Sequence, residues 1–175
     1  MATQGQIIHN PTTQETIKFL LTAADTNGEL LKFEDSLPAN HPGVLPHIHT
    51  QQEETFTVLE GTFQAVINGA PHIFSVGEKV TVPAGVTHSF HTKRSEAVKL
   101  LVELRPALEY ETFFKTLSSA EANRRNTPLQ VALLTRELDL GFYLGDIPKQ
   151  LQDLLFAGMA AVARMMGYRV RYADG

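Results

Sequence analysis

The chain has 175 residues, 43% of them hydrophobic and 19% charged, with a formal net charge of −4. That length supports one folded unit with a substantial core, and an acidic balance without a basic stripe gives no electrostatic case for nucleic acid or an anionic membrane surface. The absence of cysteine excludes disulfides, thiolate metal sites and cysteine nucleophiles together.

In chain order, residues 6–10 suit a short strand closed by Asn10-Pro11. Thr16 to Thr22 and Glu29 to Phe33 are β-prone runs flanking Asp25-Thr26-Asn27-Gly28, a turn signal. Leu37 to Pro46 holds three prolines and a glycine and reads as an irregular loop. Short strands then follow over 54–60, 63–67, 73–76, 79–83, 87–92 and 97–104, with Asn68-Gly69 as a two-residue hairpin signal. Many short strands at close spacing predict an antiparallel sandwich or barrel, a mainly β fold.

Beyond Pro106 the apolar residues take a helical period. Thr127-Pro128-Leu129-Gln130 is a capping box with Gly141 as a stop, and a last helix runs from Pro148 to about Gly167. Its stripe of Leu151, Leu154, Leu155, Met159, Val162, Met165 and Met166 is expected to pack as core, on the strands, on its companion helices or across a dimer interface. The expected division is therefore residues 1–105, strands, and residues 106–175, a helical extension. The N-terminus lacks the basic and apolar regions of a signal peptide, and residues 151–166 are too short to span a bilayer. The expected location is the cytoplasm.

The chemistry concentrates between Pro46 and Gly61. His47 and His49 are two apart, so on a strand both imidazoles project from one face. His-x-His alone is a common pattern, and a third histidine, His88, gives it weight. Glu54, Phe56 and Val58 share one face of the next strand, while Glu53, Thr55 and Thr57 share the other. An interior takes the Phe/Val face, so Glu54 points inward; by the same parity His88 and Phe90 point inward and His91 outward. A lone carboxylate among Phe and Val is costly to bury, and a divalent metal removes that cost. His47, His49, Glu54 and His88 are thus the candidate ligands. His9, His41 and His72 receive no role.

These residues resemble the cupin motifs. His47-x-His49, four residues, Glu54, six residues and Gly61 match the first; Gly77, five residues, Pro83-x-Gly85, two residues and His88 match the second. Two departures are Gly43, three residues before His47 where the first motif has five, and Thr92, where the second motif often ends in asparagine. The resemblance implies a jelly-roll barrel (double-stranded β-helix) holding one divalent transition metal, Fe, Mn, Ni, Co, Cu or Zn, on three imidazoles and a carboxylate. Glu-Thr-Phe after the histidine pair is also similar to flavonol 2,4-dioxygenases of the cupin group. That similarity implies a metal-dependent dioxygenase acting on a small organic substrate, with Glu54 as ligand and base and Phe56 and Phe90 as pocket walls. The alternatives are a metal-dependent isomerase, epimerase or lyase, and a ligand-binding cupin without catalysis. Cupins commonly pair through sheet surfaces, which implies a homodimer.

Overall fold

The computed structural model describes residues 2–92, 95–122 and 127–170. Its strands are β1 (Ile7–His9), β2 (Thr16–Leu21), β3 (Leu31–Leu37), β4 (Val44–His49), β5 (Glu53–Glu60), β6 (Phe63–Ile67), β7 (Ala70–Phe74), β8 (Lys79–Val82), β9 (His88–His91), β10 (Val98–Arg105) and β11 (Phe142–Leu144). Its helices are α1 (Tyr110–Ala122), α2 (Thr127–Glu137) and α3 (Lys149–Met165). The strands form two antiparallel sheets, ordered β1-β2-β3-β10-β5-β8 and β11-β4-β9-β6-β7.

Period-two alternation builds the core. Leu31, Phe33 and Leu37 of β3 and Val98, Leu100, Val102 and Leu104 of β10 are buried, with the intervening residues on β10 up to Glu103 half-exposed. The inner faces of the two sheets meet where Phe56 packs on Phe63 and Phe90, with ring centroids 5.1 and 5.9 Å apart. Leu134, Leu138 and Leu140, from α2 and the segment after it, join the same core, and so does Tyr110 at the start of α1. The Glu111 carboxylate fastens α1 by accepting from the backbone N–H groups of Ala2 and Ala23. The helical segment is therefore packed into the fold.

Several elements differ from expectation. β3 runs on to Leu37, and β4 occupies the end of the stretch read as a loop. The β4–β9 register shifts between Val44 and His47, so Pro46 sits at an irregularity where its missing N–H costs no ladder bond. Asn68 and Gly69 both adopt positive φ, 49° and 77°, as the hairpin requires, but β7 begins at Ala70, not Ile73. β11 was not expected. Gly141, also at positive φ, leads into β11 and does not end α2, which stops at Glu137. The capping box rests on the Thr127 side chain, which lies outside the described residues; Gln130 donates its amide to the carbonyl of Arg169.

Among the described residues, the α3 stripe is covered by neither the strands nor the companion helices. The buried residues of the helix are Gln152, Ala160 and Ala163, and Leu151, Leu154, Leu155, Val162, Met165 and Met166 are exposed. The small face packs on α2, where Leu133 joins Ala160, Ala163 and Tyr168 in a second cluster. Alanines allow close helix approach, and they leave the long side chains on the outside. No helix among the described residues is long and apolar enough to cross a membrane.

Gly43 anchors the loop that delivers β4. It has φ +76°, and a Cβ there would lie 1.8 Å from the Phe90 carbonyl oxygen. Gly77 shares the left-handed backbone, φ +87°, but a Cβ there meets nothing within 4 Å. Gly77→Ala should therefore cost only the backbone penalty, about 1–2 kcal/mol, whereas Gly43→Ala adds a backbone collision and should cost more than about 3 kcal/mol. Urea unfolding of the two variants checks this, and equal losses would contradict it.

Candidate metal centre

The two sheets converge on four side chains. β4 carries His47 and His49 and β9 carries His88, with His47 directly opposite His88 in the ladder. Glu54 comes from β5 of the other sheet. One potential ligand atom from each of the four lies within 4.8 Å of all the others. The His88 and His49 Nε2 atoms stand 2.8 and 3.3 Å from Glu54 Oε2. The His47 ring lies 4.1 Å from that of His88 and 4.9 Å from that of His49, centroid to centroid. All four residues are at most 9% exposed.

Each imidazole is oriented from behind. His47 Nδ1 is 2.8 Å from the Leu45 carbonyl oxygen and His88 Nδ1 is 3.2 Å from that of Val86, in each case the residue two before it. A carbonyl can only accept, so both Nδ1 atoms carry protons and both Nε2 atoms face the cluster. His49 Nδ1 has a different partner, the Tyr110 hydroxyl at 2.8 Å. Tyr110 opens α1, so the helical segment supplies the third support.

The electrostatics follow from burial and proximity. Burial alone would push the Glu54 carboxyl up, but the hydrogen bond from His88 and the closeness of His49 outweigh it and hold the group well below the usual carboxylate range. His47 is pushed down to about 4, chiefly by burial and then by the charge of His88. His88 moves the other way: burial opposes its protonation, but its bond to Glu54 prevails and raises it. Burial, assisted by Glu54, pushes the Tyr110 phenol well up. On the same inward face as Leu31 and Phe33, Asp35 is also pushed well up, by burial and the charge of Glu15.

This arrangement fits a divalent transition metal. The donor set is three nitrogens and one ionised oxygen, which suits borderline cations. His49 Nε2 is buried without a hydrogen-bond partner despite its proximity to Glu54, and a cation at the centre would satisfy it. The four residues could hold one ion, and the donor set does not choose among Fe, Mn, Ni, Co, Cu and Zn.

The remaining candidates separate by position. Glu54 is buried and Glu53 exposed; His88 and Phe90 are buried and His91 exposed. Phe56 lies edge-on to His88, with centroids 6.4 Å apart, while Phe90 packs on Phe56 and Phe63. His41 is buried and accepts from the N–H of Gly43 through Nδ1. Thr92, at the end of the second motif, donates its hydroxyl to the Pro38 carbonyl at 3.1 Å, so it ties the loop before β4 to the end of β9.

Two neighbours of the cluster were not anticipated. Tyr110 carries no local signal, because nothing near it in sequence points to His49. Phe142 packs on His47 and His49, with centroids 5.3 and 6.2 Å away, because β11 pairs with β4 and places Phe142 opposite His49. Here a signal existed: Phe142-Tyr143-Leu144 is a β-prone triplet bracketed by Gly141 and Gly145.

Tyr110→Phe keeps the ring and removes the partner of His49. Loss of such an outer support typically costs roughly 10–100-fold in metal affinity. Competition titration with Co²⁺ or Zn²⁺ against a chromogenic chelator should show that loss in Tyr110→Phe and none in His9→Ala. Unchanged affinity in Tyr110→Phe would show that the phenol does not orient the imidazole.

Comparison with known proteins agrees with this architecture. Residues 34–103 match the family model described as a cupin domain. No curated protein matches the chain in sequence. Among solved structures, a predicted oxalate decarboxylase from Thermotoga maritima is 18% identical; the match covers 61% of this chain and 99% of that one, with a TM-score of 0.51. The polyketide cyclase RemF from Streptomyces resistomycificus is 23% identical over 59% of this chain and 70% of that one, TM-score 0.48. The cupin domain of Cnp3 from Schizosaccharomyces pombe is 17% identical over 53% of this chain and 65% of that one, TM-score 0.47, so this chain spans just under two thirds of it. At such identities the likeness is one of fold. Both motifs, with His47, His49, Glu54 and His88, lie inside residues 34–103, the segment that matches the cupin-domain model.

Proposed function

We propose that this protein is a metal-dependent dioxygenase acting on a small organic substrate, with His47, His49, Glu54 and His88 as the metal ligands. The observation that carries this reading is the convergence of three back-supported imidazoles on one ionised carboxylate. In the same reading the two sheets close as a jelly-roll barrel, and residues 106–175 are the extension that contributes Tyr110 and Phe142.

An ion held by His47, His49, Glu54 and His88 would supply Lewis acidity and the redox chemistry that dioxygen requires. Glu54 is the proton acceptor. Its Oε2 faces His49 and His88, which leaves Oε1 to take a proton from a substrate hydroxyl or from a carbon beside a carbonyl. A carboxylate held this far below its usual range is a weak base, so the substrate must be acidified by binding. Phe56 and Phe142 wall the cluster and exclude water, which strengthens every charge interaction inside it.

Among the described residues no lysine or arginine is buried, so a cation held by the cluster would be the positive group that faces a substrate oxygen. A metal-dependent isomerase or lyase would use the same ligands.

The test is oxygen consumption by metal-reconstituted protein across a panel of enolisable hydroxy-ketones. Uptake that requires metal and substrate together, and drops at least about a hundredfold in Glu54→Gln, is the expected result. Turnover of the same substrates under nitrogen would replace the dioxygenase reading with the isomerase or lyase reading.

A further inference from the structure

Five large apolar side chains on α3 are exposed: Leu151 at 49%, Leu154 at 72%, Leu155 at 48%, Val162 at 47% and Met165 at 87%. The helix carrying them is firmly placed. Ala160 and Ala163 pack against Leu133 of α2, and the Gln152 side-chain oxygen accepts from the Leu144 N–H of β11 at 2.7 Å. The open face is therefore not a consequence of an undocked helix. Among the described residues nothing of the same chain covers it.

The pattern on that face is that of a helix-pairing seam. Leu151, Leu155, Gly158, Val162 and Met165 follow one another at steps of four, three, four and three, the spacing of a two-helix contact. The pattern is also close to symmetric about its centre. Leu151 and Met165 each lie seven residues from Gly158, Leu154 and Val162 each lie four, and Leu155 and Ala161 each lie three. Gly158 faces open space, with nothing within 4 Å of where a Cβ would be, and Ala157 and Ala161 beside it are exposed. Large side chains flanking a small centre let two such helices approach closely at the middle and interdigitate at the ends.

We infer that α3 is a dimerisation helix, pairing antiparallel with α3 of a second copy of this chain about a two-fold axis at Gly158. In that arrangement Leu151 meets Met165 of the second copy and Leu154 meets its Val162, and each contact occurs twice, as a two-fold interface requires. The open side chains offer an apolar patch on the order of 600 Å², the upper range for an ordinary monomer and near the ~800 Å² per partner of a standard interface. Charge does not oppose the pairing. Lys149 is bonded to Asp153 at 2.7 Å and Arg164 to Glu137, so the charges on α3 are matched within their own chain. A lipid surface is a poorer fit, because α3 carries only two cations and both are paired within the chain. The inference does not depend on the metal chemistry.

The chain has no cysteine, so an introduced thiol reports only its own surroundings. Across the proposed axis, residue 158 of one copy faces residue 158 of the other within disulfide reach. The two copies of residue 151 lie about 21 Å apart along the seam, fourteen residues at a rise of about 1.5 Å. Under mild oxidation of the full chain, Gly158→Cys should form a disulfide dimer and Leu151→Cys alone should not. A mixture of Leu151→Cys and Met165→Cys should cross-link to the mixed dimer. By sedimentation the unmodified protein should be dimeric, and Leu154→Glu with Met165→Glu should weaken association at least about tenfold while thermal unfolding of the dilute monomer stays cooperative. A monomeric unmodified protein overturns the inference, as does a monomer that binds neutral phosphatidylcholine vesicles. Cross-linking of Leu151→Cys with itself would overturn the antiparallel geometry.

Discussion

One carboxylate ties this structure together. Glu54 rises from one sheet into three imidazoles carried by the other, and it does so in a buried setting whose natural effect is to neutralise an acid. It stays ionised because His49 and His88 lie within hydrogen-bonding or ion-pairing distance. Much of the surrounding architecture exists to keep those rings in place. The Leu45 and Val86 carbonyls hold two of them, each two residues before the histidine it holds, so that β4 and β9 orient their own imidazoles. A buried charge cluster of this kind is costly unless its members are paired, and His49 Nε2, buried without a hydrogen-bond partner, is an atom a cation would satisfy.

The segment after β10 takes part in this. Tyr110 holds the third imidazole, and Phe142 lies over two of them because β11 adds to the sheet edge beside β4. A two-sheet fold without these residues would leave His49 without its Nδ1 partner and the rings of His47 and His49 without one apolar wall. The chain thus builds the back and floor of the centre from its strands and closes it with residues more than 50 positions later in sequence. Helix α3 is held to this assembly by its small face, and its large side chains are turned outward.

What could be read from sequence was what local periodicity determines. Strand parity alone separates Glu54 from Glu53 and His88 from His91, because neighbouring residues on a pleat point opposite ways. The Asn68-Gly69 hairpin was legible for a similar reason, since its backbone requirement is local. What escaped depends on distant partners. Tyr110 acquires its role from His49 through the fold, and β4 was hidden by prolines that a register shift accommodates. The α3 stripe shows a different limit. Periodicity identifies which side of a helix is apolar but not whether anything covers it, and here close packing of Ala160 and Ala163 took precedence over burial of Leu and Met.

The central claim is that Glu54 and the three histidines form one metal site, and metal content per chain tests it most directly. Purified or reconstituted protein should carry about one transition-metal ion per chain, as a four-ligand N/O site does. His49→Ala should abolish the ion, Glu54→Gln should weaken it, and Glu53→Gln should retain it. Tight binding that survives His47→Ala together with His88→Ala, or no binding of any first-row divalent ion, would contradict the account.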